Sequence, residues 1–393
     1  MYYTITCDNN IIYDPRAMSD IMALNNVKYK QDINSAGSLS FEIEPTHRKY
    51  NSLKPLKSLL RLYRDNICIW IGRIVQMKKT FRRTKQITCE GALAFLHDIQ
   101  IPPVIEWSSG IIVVGTNEYS GTMKSFLTYV LSEYNQRVAE SRNIHLGNIN
   151  TRVEEDGAYA GQPAHIHVKI DEYCSCYDAI FKAQEALGGG YFSIRVNGNN
   201  IYLDFDEEIP AKGTKNAIFG INLTDLTEEF SLEESFANCI IPLGKKQDNT
   251  GKRANISSLP NGPISGTTYT KTGIRIYDQE SINTYGRQEM TDINDHISSP
   301  SELLIAGRLT LDSCVKPLIT ISAKFIDMNY INPSNMPVNI FDQINIYSTA
   351  HGYITNDTTP LLGFELDLNK PSNNKYTISM KRTRTLIDYF LKK

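Results

Sequence analysis

The densest group of metal-type side chains in the sequence is His165-Ile166-His167 followed by Cys174-Ser175-Cys176. Two imidazoles and two thiolates would complete a tetrahedral zinc set. The spacing argues against it. His165 and His167 share one face of a strand, because strand side chains alternate with period two, but thiols two residues apart at the start of a helix point in different directions. Structural zinc sites hold their cysteines in turns of the Cys-x₂₋₄-Cys kind. The expected reading is an exposed strand and a helix N-terminus without a metal.

Nucleophilic chemistry finds no better footing. No Gly-x-Ser-x-Gly elbow, His-Glu-x-x-His helix or Cys-Gly nucleophile motif occurs, and the 7 His are scattered. The cysteines, Cys7, Cys68, Cys89, Cys174, Cys176, Cys239 and Cys314, lack the dense framework of a small secreted scaffold and read as reduced, mostly buried thiols. Gly188-Gly189-Gly190 follows a helix, whereas a phosphate-binding loop precedes one and carries a Lys and a Ser or Thr, so these glycines read as a C-cap. No catalytic, cofactor-binding or metal-ligating residue is singled out, and no cofactor is expected.

The basic run Lys78, Lys79, Arg82, Arg83 and Lys85 could contact DNA. With Phe81 as its only aromatic it offers little stacking, and it reads as the solvated tip of a hairpin or a charged loop at a subunit interface. The bulk charge agrees: 41 Lys and Arg against 43 Asp and Glu leave a formal charge of −2, without the basic excess of a sequence-independent nucleic-acid binder. Asn222-Leu223-Thr224 and Asn255-Ile256-Ser257 fit the glycosylation sequon, a reading that lapses without secretion.

The elements that would carry these groups are mostly strands. A length of 393 residues suits two to three domains, and 22 Tyr against 2 Trp favours strand-rich structure. Met1 to Arg16 reads as two strands around an Asp8-Asn9-Asn10 turn, with no basic n-region or apolar h-region, so export by the usual route is not expected. The apolar stretches Ile67–Ile71 and Ile111–Val114 are far too short to span a membrane. Leu39, Phe41 and Ile43 alternate with polar residues, and hairpins follow at Leu59–Ile74 and Lys78–Glu90, predicting an all-β barrel or sandwich up to Pro102-Pro103.

After that point the period changes. Met123, Phe126, Leu127, Val130, Leu131, Tyr134 and Val138 form one face of a helix over 122–138, which reads as core packing. A second helix over 177–187 and a hairpin at Asn197-Gly198 complete a mixed α+β insert. Strands return from Ala217 to Leu243. The stretch from Lys245 to Thr268, rich in Asn, Ser, Gly and Pro, has no period and predicts a long exposed loop. Ser299-Pro300-Ser301-Glu302 predicts a capping box opening a helix to about Thr310, followed by β alternation to the C-terminus.

The tail of the chain also matches its first segment. Leu60, Leu62 and Tyr63 match Ile344, Ile346 and Tyr347; Gly72, Arg73, Val75 and Met77 match Gly363, Phe364, Leu366 and Leu368; Ile87, Thr88 and Cys89 match Ile378, Ser379 and Met380. An insertion in the second copy falls at the hairpin loop around His351 to Thr359. Two copies of one β-barrel per chain would let a ring of n subunits present 2n similar units.

Ala36 to His47, with Tyr13-Asp14-Pro15-Arg16 ahead of it, resembles the start of the phage minor structural proteins, also described as prophage tail endopeptidases or tail-associated lysins. The likeness continues through Arg61–Gly72 with Thr88–Gly91, Leu187–Tyr191 with Tyr202–Asp204, Leu223–Thr227 with Ile240–Gly244, and Tyr285–Arg287 with Leu303–Arg308. The resemblance implies a mainly β, baseplate-hub-like fold of two tail-tube-like β-barrels plus an α+β insert. Its expected division is a first barrel at 1–102, an insert at 103–216 plus 247–313, and a second barrel at 217–246 plus 314–393.

The function it implies is structural, not enzymatic: a homotrimeric ring of pseudo-sixfold symmetry in the virion, at the tail tip or baseplate, that caps the tail tube and opens for DNA ejection. Implied partners are the chain itself, the distal tail protein ring, the C-terminus of the tape-measure protein, fibre or receptor-binding proteins, and DNA in passage. Family members often continue into lytic modules; this sequence stops at Lys393, just after the last barrel motif, so no lytic domain is expected on it. The alternatives are a tail-associated peptidase or cell-wall hydrolase, and a carbohydrate-binding receptor module.

Overall fold

The computed structural model describes residues 1–17, 23–106, 118–154, 161–210, 212–231, 236–246, 251–295, 297–315, 318–332, 334–348, 353–354 and 359–379. Ile111–Val114, His351 and Met380 of the sequence reading lie outside them. The chain divides into two compact units, one of Met1–Thr227 with Ile321–Ser379 and one within Glu228–Thr320.

A 14-stranded sheet dominates. Its strands in chain order are β1 (Tyr3–Cys7), β2 (Asn10–Tyr13), β3 (Asn25–Asp32), β4 (Ser38–Ile43), β5 (Leu59–Arg64), β6 (Ile67–Lys79), β7 (Lys85–Gly91), β8 (Thr214–Ile218), β9 (Leu223–Ser231), β10 (Leu318–Phe325), β11 (Gln343–Ser348), β12 (Tyr353–Ile354), β13 (Thr359–Asp367) and β14 (Lys375–Ser379). The predicted alternation holds in β4, where Leu39, Phe41 and Ile43 are buried between half-exposed polar residues. The tight turns also hold: Asp8 and Asn9, then Asp65 and Asn66, take positive φ, as two-residue hairpin loops require.

Neighbour by neighbour the sheet runs β9-β10-β14-β13-β3-β4-β7-β6-β5-β1-β2, with β11 joined to β13 and β8 and β12 to β11. This order contains the same arrangement twice. Taken in chain order, β3, β4, β5, β6 and β7 lie side by side as first, second, fifth, fourth, third, and so do β9, β10, β11, β13 and β14. The expected duplication is present in the strand order, and β12 occupies the expected insertion in the second hairpin.

The residue-by-residue match differs. Arg73 makes the last rung of β6 onto β5, and Pro360 makes the last rung of β13 onto β11. Pro360 thus stands where Arg73 does, four residues before the Phe364 that sequence matching assigned to it. The reason is the period of a strand: sliding by an even number of residues keeps each side chain on its own face, so alternation cannot choose among such registers.

Helices α1 (Met123–Asn135) and α2 (Cys176–Leu187) pack in the first unit. The α1 stripe from Met123 to Tyr134 is fully buried, with Val138 half-buried beside it. Thr122 caps α1 by accepting from the Ser125 N–H, and Ser175 caps α2 by accepting from that of Asp178. At the end of α2, Gly188 adopts φ 95° and the N–H groups of Gly188 and Gly189 both donate to the Gln184 carbonyl. Those donors are spent on the cap.

In the second unit a six-stranded sheet, whose longest strand is Cys239–Lys246, packs with α4 (Pro300–Cys314) around Ile240, Ile256, Ile276, Leu303 and Leu311; α3 spans Gln279–Tyr285. Within the expected second-barrel span 217–246, β9 bonds into the long sheet and Cys239–Lys246 into this one. The polar stretch 245–268 is not a free loop: it holds strands Arg253–Asn255 and Gly262–Pro263, and Ile256 is fully buried. One apolar anchor per turn of chain suffices for that, and no periodic pattern announces it. Helix α4 starts with Pro300 at its first position but without a side-chain cap, so the Ser299–Glu302 box is not formed.

Candidate functional site

The zinc-type residues lie apart in kind. His165 and His167 sit on strand His165–Lys169, paired to Glu118–Thr122, with their rings 5.4 Å apart on the outer face. Cys174 is half-buried on a short strand and Cys176 fully buried at the first position of α2, its thiol directed to the Val130 carbonyl. Among the described residues no group of three or more His, Cys, Asp or Glu side chains is placed to hold a metal ion.

The thiols are poor nucleophiles for a physical reason. All seven are free, and burial pushes Cys7, Cys68 and Cys239 up to about 11 and Cys176 up to about 12. A thiol held protonated neither attacks nor ligates.

One pair does resemble a nucleophile and a base. Ser120 Oγ lies 2.8 Å from His165 Nε2, and burial, then the neighbouring His167, lowers the His165 pKa. Glu154 touches His165 through the backbone N–H at 3.3 Å, so this carboxylate does not orient the ring in the manner of a triad. The sequence carried no signal for this pair, since Ser120 and His165 meet only through strand pairing.

A cavity of about 470 Å³ in the first unit is lined by Gln31, Arg64, Cys68, Arg195, Asp204 and Lys212, among others. Its charges are spoken for. Arg195 holds Asp204 through two bonds of 2.7 and 2.9 Å, Arg64 donates to Asn339 at 2.8 Å, and Lys212 lies 5.1 Å from the Phe341 ring centroid.

The basic run occupies a hairpin tip, as expected, and the structure adds how the tip is held. Lys78 and Lys79 end β6, Lys85 opens β7, and Phe81 between them is fully exposed. Lys85 Nζ lies 3.9 Å from the Tyr50 ring centroid, and the Tyr50 hydroxyl donates to the Arg83 carbonyl. Thr84 donates to the Glu44 carboxylate at 3.0 Å.

The extended feature of the described residues is then their long sheet, with its repeated strand order. Chains of this design are known. At 13% identity the structure is similar to the prophage MuSo2 43 kDa tail protein from Shewanella oneidensis, with a TM-score of 0.56 over 98% of this chain and 99% of that one. The chain has the fold of prophage tail proteins. The tail-protein fold recurs in the tail protein from Neisseria meningitidis MC58, with a TM-score of 0.57 at 10% identity over 99% of both chains. It recurs again in prophage tail protein gp18 from Listeria monocytogenes EGD-e, with a TM-score of 0.54 at 12% identity over 100% of this chain and 98% of that one. No family model and no curated protein matches the sequence.

Proposed function

We propose that the protein is a structural component of a phage tail, a hub at the tail tip or baseplate that assembles as a homotrimer and caps the distal tail tube. The observation that carries this reading is the duplicated strand order, β3–β7 and β9–β14, inside a tail-protein fold. Three chains with two similar sheet units each match a sixfold tube, which a single-copy trimer cannot do. The division into 1–102, 103–216 with 247–313, and 217–246 with 314–393 belongs to this proposal, carried for β3–β7 and β9–β14 by their order. Its partners would be the distal tail protein ring, the tape-measure protein, fibres or receptor-binding proteins, and DNA in passage through the channel. Imaging an intact tail tip tests it: threefold density at the end of the tube is expected, and its absence from the tip sinks the reading.

A tail-associated peptidase or cell-wall hydrolase is the second reading, and the Ser120–His165 approach is the observation in its favour. It requires turnover of casein or cell wall by the purified chain, lost in Ser120→Ala. Under the structural reading neither protein turns over substrate.

A further inference from the structure

The strand His165–Lys169 keeps two imidazoles together on a rigid base. Ile166 and Val168 are buried in the core of the first unit, so His165, His167 and Lys169, which alternate with them, face outward. The rungs of His165 onto Thr122 and of His167 onto Ser120 fix the backbone beneath both rings. The ring centroids lie 5.4 Å apart. Two imidazoles that bind one ion through nitrogens at about 2.0–2.1 Å, in a tetrahedral angle, have their ring centres about 5 Å apart. The observed spacing is close to that of a pair sharing an ion.

Each ring also has one nitrogen engaged from outside the pair. Nε2 of His165 lies 2.8 Å from the buried Ser120 Oγ, and Nδ1 of His167 lies 3.5 Å from Glu118 Oε1. Metal-bound histidines present their far N–H to an acceptor of this kind, which sets the tautomer and the ring orientation. A proton on each of those two nitrogens leaves the lone pairs of His165 Nδ1 and His167 Nε2 for a ligand. The surrounding charge has the right sign for a cation. Glu118 stands beside His167, and Glu154, itself 3.6 Å from Arg152, accepts from the His165 backbone N–H at 3.3 Å. Lys169, the next outward residue, is drawn away to Asp171 at 3.1 Å. Among the described residues no third His, Cys, Asp or Glu is placed to complete a metal set, so the remaining coordination positions belong to water.

We infer that His165 and His167 chelate one divalent transition-metal ion of the borderline class, Cu²⁺ or Zn²⁺, in an open site on the outer face of this strand. Imidazole ligands suit that class, whereas Mg²⁺ and Ca²⁺ call for sets of oxygen ligands. Of the two ions Cu²⁺ binds such a site more tightly. The inference goes beyond the tail reading and does not depend on it. It also gives Ser120 the opposite part to the one a peptidase requires: here the serine oxygen accepts the Nε2 proton of His165, whereas a nucleophile would donate its own proton to that nitrogen.

The test titrates the full chain with Cu²⁺ and, separately, with Zn²⁺ by calorimetry, and repeats both on His165→Gln, on His167→Gln and on the chain carrying both substitutions. The unsubstituted chain should bind a single ion that the doubly substituted chain does not, Cu²⁺ more tightly than Zn²⁺, while Mg²⁺ gives no saturable heat. Either single substitution should weaken binding at least ~10-fold, and Glu118→Gln, which leaves both imidazoles in place, by about 10-fold. The paramagnetic resonance spectrum of the Cu²⁺-loaded chain should show coupling to two nitrogens, reduced to one in His167→Gln. The His167 side chain is exposed, so that substitution disturbs no packing, and melts of the metal-free variants near that of the unsubstituted chain exclude misfolding. A rise in melting temperature with Cu²⁺ that the double substitution abolishes supports the site independently. Equal affinity for Cu²⁺ in the unsubstituted and doubly substituted chains overturns the inference, as does the absence of saturable binding by the unsubstituted chain.

Discussion

Leu56 and Phe341 hold the same left-handed turn in the two halves of the long sheet. Each has positive φ, 58° and 72°, and each donates its backbone N–H to the fourth strand of its copy, Leu56 to the Ile74 carbonyl at 2.8 Å and Phe341 to that of Leu361 at 3.2 Å. Counting from the last rungs, Ile74 and Leu361 follow Arg73 and Pro360 by one residue, so this shared bond and the shared strand order describe one repeated substructure. A branched or bulky residue in that conformation is costly, and the same cost is met at the same place twice.

Leu56→Gly follows from that geometry. The Leu56 side chain is 55% exposed, so little apolar burial is lost, while glycine relieves about 1 kcal/mol of backbone strain. Urea denaturation should find the variant as stable as wild type or up to ~1 kcal/mol more so. A loss beyond ~1 kcal/mol would mean the side chain matters more than the turn.

Gly91→Ala should destabilise strongly. A Cβ at Gly91 would lie 1.8 Å from the Ala36 carbonyl oxygen and 2.7 Å from Trp70 Nε1, and backbone cannot yield as a flexible side chain can. The expected loss is about 2 kcal/mol or more, measured by the same denaturation. Gly198→Ala is a contrasting control, because space is open there and only its positive φ opposes the methyl group.

Arg73→Ala probes the charged link between β6 and the turn Ala92–Asp98. The Arg73 side chain is 6% exposed, bonds Glu90 at 2.8 Å and holds both Asp98 oxygens. Its removal strands two carboxylates that are about a third exposed, which water partly compensates; a loss of about 2–3 kcal/mol is expected. Asp98→Asn should cost less, because Glu90 still answers the arginine.

The thiols predict an alkaline limit. In the unfolded chain they ionise near the ordinary value of 9.0, whereas in the fold Cys7, Cys68 and Cys239 hold their protons to about 11 and Cys176 to about 12, chiefly through burial. The unfolded state then binds fewer protons above pH 9, so their contribution is complete below pH 9 and is lost as pH rises through 11. Denaturation midpoints should be level from pH 7 to 8.5 and fall beyond it, and a thiol reagent at pH 8 should react slowly with the native chain.

His47 sets an acid limit of the opposite sign. It is buried with Nε2 2.9 Å from the Ile12 carbonyl, and burial lowers its pKa from 6.5. Its contribution is present above pH 6.5 and lost as pH falls through the depressed value. His47→Gln should flatten that part of the stability profile, which a denaturation series from pH 7 to 5 would read.

What the sequence determined by itself is local. The alternation of Leu39, Phe41 and Ile43, the α1 stripe from Met123 to Tyr134, the cap at Gly188, and the Asp65-Asn66 turn all lie within a few residues and express the local rules of strand, helix and turn. Repetition was legible too, as a succession of similar strands. The tertiary structure alone decided register and adjacency. Arg73 corresponds to Pro360 rather than Phe364 because rungs, not periods, fix which residues stand opposite. Lys28 meets Glu365 across 337 residues of chain, and Ser120 meets His165 across 45. The pairing of a strand edge belongs to the same class: it is a property of what lies beside a strand, and no strand's own residues specify it.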